Sequence, residues 1–162
     1  MTAPRPPLRS LDEARAELLA AATPLGRLED IDTFEADRRV LARDLVSALQ
    51  VPPQDNSSMD GYAVRCTEMA QAGAGSALFR VSQRIPAGSA AQPLVPGSIA
   101  RIFTGAPVPA GADAIVMQED TETLEDGAVR VLRAPQPGQW IRRSGEDVLR
   151  GSVVLRAGER LS

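Results

Sequence analysis

Glycine and proline recur every few residues from Val51 onward, and this spacing constrains the fold more than any other feature of the sequence. The 162-residue chain contains 13 glycines and 13 prolines. Proline cannot donate a backbone hydrogen bond and glycine readily adopts turn conformations, so the two together favour short elements over a helical bundle. The sequence therefore predicts a mainly β, α+β fold in which N-terminal helices precede a β-rich body with many tight turns.

Short apolar runs lie between these glycines and prolines and are typical of strands. The predicted strands are Tyr62–Val64, Ala77–Val81, Ile99–Phe103, Ala114–Met117, Val129–Leu132 and Val153–Leu155. The dipeptide Asp126-Gly127, just before Val129, is typical of a hairpin turn.

The N-terminal part of the chain has a helical pattern. Ser10 and Glu13 have the spacing of a capping box, which predicts a helix over residues 11–22. A second helix is expected over 36–45 and a short strand over 29–34. Both helices are amphipathic, so they need to pack on the β-rich body or on a second copy of the chain.

Three absences exclude several kinds of chemistry. All 18 basic residues are Arg, there is no His, and Cys66 is the only cysteine. A Schiff-base lysine, a Ser-His-Asp triad, a Cys-His pair and an internal disulfide are therefore excluded, and a zinc site nearly so. Nothing near Cys66 would activate its thiolate, so we expect a small apolar side chain that is buried or half-buried.

The termini and the net charge favour a soluble protein. The net charge is −3, no apolar run has the length of a membrane span, and residues 1–9 read as a disordered, Pro-rich lead-in without a signal-peptide stretch. We therefore expect a cytoplasmic protein with neither a nucleic-acid nor a membrane partner.

Three segments are richer in polar side chains than a scaffold requires. Asp55–Tyr62 contains two carboxylates, an amide and two serine hydroxyls within its first six residues. Arg101–Pro109 runs into a Gly-Pro bend that starts at Thr104 and Gly105. The first segment forms either an elaborate turn or a polar rim that binds Mg²⁺ or a ligand hydroxyl. The second forms either a rigid loop or a backbone approach to a ligand.

The third polar segment, Trp140–Asp147, places Arg142 and Arg143 shortly before two acids. The four charges either pair with one another on the surface, or one arginine faces a phosphate, for which its planar fork is suited.

Taken together, these segments resemble one family. Pro52–Val64, Arg101–Glu119 and Ile141–Asp147 are similar, in this order, to the N-terminal part of the MoeA family, the molybdopterin molybdenumtransferases, which includes the E domain of gephyrin. The resemblance runs from about Ser10 to Leu161. Many members read Arg-Arg-Arg-Gly-Glu-Asp where this chain has Ser144 as the third residue.

The resemblance implies a reaction and a fold. Family members insert molybdate into adenylyl-molybdopterin and release AMP with the help of Mg²⁺, in molybdenum cofactor biosynthesis. The implied fold has two lobes of coiled and bifurcated sheets. Residues 10–50 plus 139–162 would form an elongated, helix-containing lobe that dimerises, and 51–138 a β-rich lobe that lines one side of the active cleft.

The resemblance also implies site residues, by motif position. Asp60 and Thr104 would be catalytic. The implied substrate-binding residues are Ser58, Gly105, Glu119, Arg142 and Arg143. No metal ligand is assigned to this chain, because the family binds Mg²⁺ mainly through an α/β domain that this sequence does not contain.

Two functions follow from the resemblance. The first is the N-terminal part of a molybdenumtransferase, homodimeric and inactive as an isolated chain, with molybdopterin adenylyltransferase as a further partner. The alternative is a non-catalytic dimerisation or docking module that kept the fold. Ser144 favours the module, whereas the intact Asp60 and Thr104 favour the enzyme.

Overall fold

The structure is a computed structural model that describes residues 9–23, 26–73 and 78–162. The chain divides into two compact units, Met1–Ala42 with Gly158–Ser162, and Arg43–Ala157. The expected lead-in lies almost entirely outside the described residues, and the lobe boundaries inferred above stay a prediction. Within the described ranges, no helix is both long enough and apolar enough to cross a membrane.

The first unit contains the predicted N-terminal helix, α1, over Leu11–Ala21. Ser10 Oγ accepts a hydrogen bond from the Glu13 N–H at 3.2 Å, and Glu13 Oε2 accepts one from the Ser10 N–H at 2.8 Å. This reciprocal capping box confirms the predicted start of the helix. No residue of α1 is buried, and Leu11 and Leu18 are 85% and 74% exposed, so the apolar face is uncovered in the described part of the chain.

The second predicted helix, over 36–45, is wrong. Arg38 has a φ of 63°, a left-handed conformation that interrupts a right-handed helix. The backbone N–H of Arg38 donates to Leu161 O at 2.9 Å, and that of Leu41 donates to Glu159 O at 2.8 Å. Pairing with the end of the chain therefore replaces the local helical hydrogen bonds that the apolar spacing predicted.

The short strand predicted over 29–34 is also wrong. A single 3₁₀ turn spans Thr33–Glu35, and the side chain of Asp32 accepts a hydrogen bond from the Phe34 N–H at 2.9 Å. Such a local side-chain bond to the backbone competes with strand pairing.

The second unit is built on a mixed sheet of six strands and also contains two short strand pairs. In chain order its elements are β1 Leu45–Val46, β2 Asn56–Ser57, β3 Gly61–Val64, α2 Cys66–Ala72, β4 Leu78–Ile85, β5 Ser98–Ile102, β6 Ala114–Met117, β7 Thr121–Thr123, β8 Val129–Val131, β9 Ile141–Arg142 and β10 Val153–Leu155. The sheet order is β6-β3-β5-β4-β8-β7, and only the β4–β5 neighbours are parallel. β1 pairs with β10, and β2 with β9.

These strands confirm the mainly β fold class and the predicted apolar runs, with shifted ends at several of them. The run predicted from Ala77 continues to Ile85, and Ala77 itself lies outside the described residues. The predicted Asp126-Gly127 turn joins β7 to β8, and Leu124 O accepts a hydrogen bond from the Gly127 N–H at 2.9 Å.

Both faces of the central strands are buried, and each face packs into its own core. Tyr62, Val64 and Val116 belong to one apolar cluster, whereas Ala63 and Ile115 belong to the other. This alternation is the period of two that strand geometry imposes. The buried sheet is therefore a rigid base for the loops at its edges.

Gly61 is required where β3 meets β6. A Cβ atom built on Gly61 would lie 1.9 Å from the carbonyl oxygen of Val116, a distance that no side chain tolerates. The glycine therefore allows the backbone just after Asp60 to approach β6 closely.

The helix α2 has no counterpart among the predictions. Its first residue, Cys66, donates its N–H to Asp113 Oδ1 at 2.7 Å, and Met69 is buried in the first core. Cys66 is half-buried, and burial, followed by the nearby Asp113, raises the pKa of its thiol to about 11. The thiol is therefore protonated at neutral pH, and of the two degrees of burial expected from the sequence Cys66 has the half-buried one.

Candidate functional site

Asp60 and Thr104 lie side by side because the strands next to them are antiparallel neighbours. Gly61 begins β3 and is the register partner of Ile102, the last residue of β5. The residue before β3 and the loop after β5 therefore meet at one edge of the sheet. Thr104 donates its backbone N–H and its hydroxyl to Asp60 Oδ1, each at 2.8 Å. The structure thus brings the two residues predicted to be catalytic into direct contact.

The two bonds from Thr104 favour the ionised form of Asp60. The backbone N–H of Thr104 is the largest cause that lowers the pKa of this carboxyl, followed by the Thr104 hydroxyl, and the charge of Arg101 adds a smaller effect. Asp60 Oδ2 accepts no hydrogen bond from the described residues. The pair therefore exposes the anionic Asp60 Oδ2 and the Thr104 hydroxyl oxygen. The hydroxyl proton of Thr104 is donated to Asp60 Oδ1.

The first two polar segments are joined by backbone hydrogen bonds. Gly105, at a φ of 79°, donates its N–H to Ser57 O at 2.8 Å, and the Ser57 N–H donates to Ala106 O at 2.9 Å. Ser57 is buried, whereas Ser58 is exposed and donates its N–H to Trp140 O at 2.9 Å. The predicted residues Ser58 and Gly105 therefore belong to the same group of loops as Asp60 and Thr104.

The third polar segment joins this group through β9, which pairs with β2. Arg142 forms an ion pair with Asp147, and Arg143 Nη1 lies 2.7 Å from Asp55 Oδ2. Both arginines are exposed. The ion pair of Arg142 is the alternative that the sequence left open beside phosphate binding, because both charges belong to the third segment. Arg143 instead pairs with an acid of the first segment, which the sequence analysis did not predict.

Ser144 makes four hydrogen-bond contacts with residues 50–55, which lie far from it in the sequence. Its N–H donates to Asp55 Oδ1 at 2.8 Å, and this bond is the largest cause that lowers the pKa of the Asp55 carboxyl. Its Oγ lies 3.0 Å from Pro53 O and 3.3 Å from Pro52 O, and accepts a hydrogen bond from Gln50 Nε2 at 2.5 Å. The Ser144 hydroxyl therefore links the segment Trp140–Asp147 to residues 50–55. A long arginine side chain at this position would not reproduce these contacts.

Glu119 is exposed on a 3₁₀ turn, Gln118–Asp120, that follows β6. The Gln118 N–H donates to Asp60 O at 3.1 Å. The Gln118 side chain accepts from Arg101 Nη2 at 2.7 Å and donates to Glu119 Oε1 at 3.3 Å. Glu119 is therefore linked to the Asp60 loop through Gln118 and not by direct contact.

Arg84 and Phe103 were not predicted as site residues. The guanidinium carbon of Arg84 lies 4.7 Å from the centroid of the Phe103 ring, and that of Arg101 lies 4.6 Å from it. The motif that contains Thr104 already includes Arg101 and Phe103, so their neighbourhood was visible in the sequence. No signal pointed to Arg84, because only the pairing of β4 with β5 brings it there.

The residues that the structure describes do not fit a complete magnesium site. Among the described residues, no three Asp, Glu, Cys or His side chains gather closely enough to hold a metal ion. Asp60 Oδ2 is a single carboxylate oxygen, whereas Mg²⁺ requires six ligands in octahedral geometry. We therefore assign no step to magnesium in this chain.

The fold and the site define a class of protein: a β-rich domain on a mixed sheet, with a polar loop cluster around an Asp–Thr pair at one edge. A family model described as the MoeA N-terminal region, domain I and II, matches residues 9–162. The chain therefore belongs to the family of MoeA N-terminal regions.

Individual proteins show the same relationship. The chain is 41% identical over 154 residues to a molybdopterin molybdenumtransferase of Haemophilus influenzae, and the match covers 94% of this chain and 37% of that protein. It is also 41% identical over 157 residues to molybdopterin molybdenumtransferase 2 of Mycobacterium tuberculosis, covering 94% of this chain and 38% of that protein.

A solved structure agrees with these sequence matches. The molybdopterin biosynthesis MoeA protein of Pyrococcus horikoshii OT3 superimposes with a TM-score of 0.81 at 37% identity, covering 90% of this chain and 39% of that one. The chain thus spans about two fifths of the length of the relatives that it matches.

Proposed function

We propose that this chain is the N-terminal part of a molybdopterin molybdenumtransferase and contributes Asp60 and Thr104 to its active cleft. The complete protein would insert molybdate into adenylyl-molybdopterin and release AMP. The contact between Asp60 and Thr104 carries this proposal, because it joins two separate motifs at the exposed edge of a rigid sheet. Two relatives that are 41% identical are named for this activity.

The geometry of the Asp60–Thr104 pair favours a role in orienting the substrate through a fixed carboxylate and hydroxyl, and not a role in proton transfer. The pKa of Asp60 is lowered, so its carboxylate holds no proton at neutral pH. The Thr104 hydroxyl donates to Asp60, so its oxygen is oriented to accept a hydrogen bond from a substrate. A preorganised acceptor pair of this kind stabilises a transition state without reorganising during the reaction. Ser58, Gly105, Glu119, Arg142 and Arg143 belong to the proposed substrate-binding surface.

The proposal includes two substrates, a metal and a partner. Molybdate and adenylyl-molybdopterin are the substrates. Magnesium, a homodimeric state and contact with molybdopterin adenylyltransferase belong to the complete protein. The isolated chain is expected not to turn over.

The alternative is a dimerisation or docking module without catalysis. The ion pairs of Arg142 and Arg143 favour it, since both arginines are occupied within the chain. The two functions differ in what they require of Asp60, because a docking module does not need its charge.

The test is Asp60→Asn in the complete protein. Asn keeps an oxygen that accepts both bonds from Thr104, so only the charge and the second oxygen change. We expect molybdate insertion to fall by at least about 100-fold with a nearly unchanged melting temperature. The matched control is Asp126→Asn, an exposed turn residue whose Oδ1 accepts the Ala128 N–H. Full activity in the Asp60 variant would refute the role of Asp60 in the active cleft. Absence of molybdate insertion by the unmodified complete protein would refute the enzyme proposal and leave the docking module.

A further inference from the structure

Two arginines on neighbouring strands crowd one aromatic ring. Arg84 of β4 and Arg101 of β5 are register partners in the parallel pair, so their side chains leave the same face of the sheet. Phe103, two residues after Arg101, receives both guanidinium groups within 4.7 Å of its ring centroid. We refer to these three residues as the Arg84–Phe103–Arg101 cluster.

Among the described residues, neither cation of this cluster forms an ion pair with an acid, although the charge of Arg101 acts on Asp60 without direct contact. Arg101 donates Nη1 to Gly61 O at 3.0 Å and Nη2 to Gln118 Oε1 at 2.7 Å, both neutral acceptors. Arg84 makes no hydrogen bond or ion pair with any residue within the described ranges. By contrast, Arg80 on the same strand lies 3.5 Å from Asp126. Neighbouring like charges repel, so two guanidinium groups without an ion-paired acid favour an added anion.

Two acids of the adjoining loops, Asp60 and Glu119, accept hydrogen bonds from residues outside the cluster. Asp60 Oδ1 accepts both bonds from Thr104, and Glu119 accepts a bond from the Gln118 side chain. In the part of the chain that the structure describes, neither Asp60 nor Glu119 forms an ion pair with Arg84 or Arg101. Arg84 therefore keeps its attraction for an external anion, and Arg101 shares its charge with Asp60 only through a longer-range interaction.

The cluster is continuous with the Asp60–Thr104 pair. Phe103 directly precedes Thr104 in the chain, and Arg101 is hydrogen-bonded to the residue that follows Asp60. The Phe103 ring is half-buried and attracts both cations through its π face, which holds the arginines in place before a ligand arrives. Such preorganisation lowers the cost of binding.

We propose that the Arg84–Phe103–Arg101 cluster binds a tetrahedral oxyanion through both guanidinium groups. Arg101 is held in place by its hydrogen bonds to Gly61 and Gln118, whereas Arg84 makes no hydrogen bond with the described residues. The planar guanidinium fork matches the paired oxygens of such anions. This inference deepens the proposed function, on which it rests for the origin of the anion. The source is either the phosphate group of the adenylylated substrate or molybdate itself, and both have the same tetrahedral chemistry.

The test is anion titration of the chain followed by NMR, with inorganic phosphate, AMP and sodium molybdate as probes at constant ionic strength. We expect saturable shifts of the Arg101 Nε–H and Thr104 N–H signals in the unmodified chain. Arg84→Gln should weaken the binding at least about tenfold. The matched control, Arg80→Gln, removes a charge from the same strand outside the cluster and should bind as the unmodified chain does.

Each outcome decides the proposal. Equal affinity in the Arg84→Gln and Arg80→Gln variants, or shifts that never saturate, would overturn it. Binding of phosphate and AMP alone would identify the ester as the source, and binding of molybdate alone would identify the metal oxyanion. Arg84→Lys keeps the charge but loses the fork, so its affinity should lie between those of the unmodified chain and Arg84→Gln.

This test is separate from the test of the proposed function. Anion binding is measured on the chain itself, whereas the Asp60→Asn experiment measures molybdate insertion by the complete protein. Anion binding that depends on Arg84, together with a fully active Asp60 variant, would preserve the cluster and refute the catalytic role of Asp60. An inactive Asp60 variant, together with anion binding that does not depend on Arg84, would preserve the proposed function and refute the cluster.

Discussion

Asp60 illustrates how one backbone arrangement sets both the position and the charge of a side chain. The antiparallel pairing of β3 with β5 places the Thr104 N–H and hydroxyl 2.8 Å from one carboxylate oxygen. The same two bonds lower the pKa of that carboxyl. Position and ionisation therefore have one cause, and both should respond to changes at Thr104.

The pH dependence of this pair follows from the lowered pKa. A carboxyl whose pKa is lower in the folded chain stabilises the fold above its unfolded value of about 3.9, and loses that contribution as pH falls through the folded value. We expect the Thr104 amide signal to titrate with a midpoint below about 3.9 in an NMR titration. Thr104→Val removes the hydroxyl bond and should move the Asp60 midpoint upward, whereas Thr104→Ser should leave it in place. A midpoint at or above the ordinary value in the unmodified chain would contradict the observed hydrogen bonds.

Gly61 provides a second test at the scale of one residue. Gly61→Ala would place a methyl group 1.9 Å from the Val116 carbonyl oxygen and should destabilise the fold by about 3 kcal/mol or more. Urea unfolding measures this difference. The control is Gly151→Ala, which has open space around it and a φ of 84°, and which should cost only about 1 kcal/mol of backbone strain. Gly61 is not among the glycines with positive φ, so equal losses in both variants would show that β6 moves aside for the methyl group at little cost.

At the scale of elements, α1 depends on its cap more than on packing. None of its residues is buried, so the capping box that involves Ser10 is a large part of what holds its first turn. Short helices with little tertiary contact are marginal in water. A change at the N-cap should therefore be enough to alter the stability of α1.

The corresponding prediction concerns Ser10→Ala. Loss of an N-cap costs about 1 kcal/mol, so the α1 amides should exchange with deuterium roughly fivefold faster. Ser10→Asp keeps an accepting oxygen at the cap and should exchange like the unmodified chain. If Ser10→Ala leaves the exchange rates unchanged, α1 is held by contacts other than its cap.

At the scale of the whole molecule, the first unit exposes several large apolar side chains to solvent. Leu11, Leu18 and Phe34 are 85%, 74% and 95% exposed. Exposed apolar surface of this kind commonly marks an interface. It supports the proposed homodimer, in which a second copy of the chain would cover these residues.

Light scattering after size exclusion measures this association. The unmodified chain should have twice the 17.2 kDa mass of a single copy, and the double variant Leu11→Ser, Leu18→Ser should have the mass of one copy. The control is Leu132→Ser, an exposed leucine of the second unit. A dimer that survives the double variant would place the interface elsewhere.

Much of the second unit could be predicted from the sequence. The run Ala114–Met117 is the observed β6, and Tyr62–Val64 lies within β3, because strands buried on both faces require continuous apolar residues bounded by turn formers. The capping box at Ser10 and the turn at Asp126-Gly127 were predictable for a similar reason. In each case neighbouring residues supply the decisive contacts.

Other features depended on residues far apart in the chain. The segment 36–45 has helical spacing, yet its backbone N–H groups donate to carbonyls near the C-terminus. Helix α2 is anchored through Asp113, and Arg84 reaches the site only through the pairing of β4 with β5. No local pattern could predict these contacts.

The sequence by itself determined the class of fold, most of the central strands and the motifs that contain Asp60 and Thr104, since apolar spacing, turn chemistry and motif order are local properties. Only the tertiary structure decided that Thr104 directs two donors at Asp60, that Arg142 and Arg143 have acidic partners, and that Arg84 joins Arg101 on one ring. Strand register brings these groups together, and register is fixed by the burial of side chains across the whole sheet.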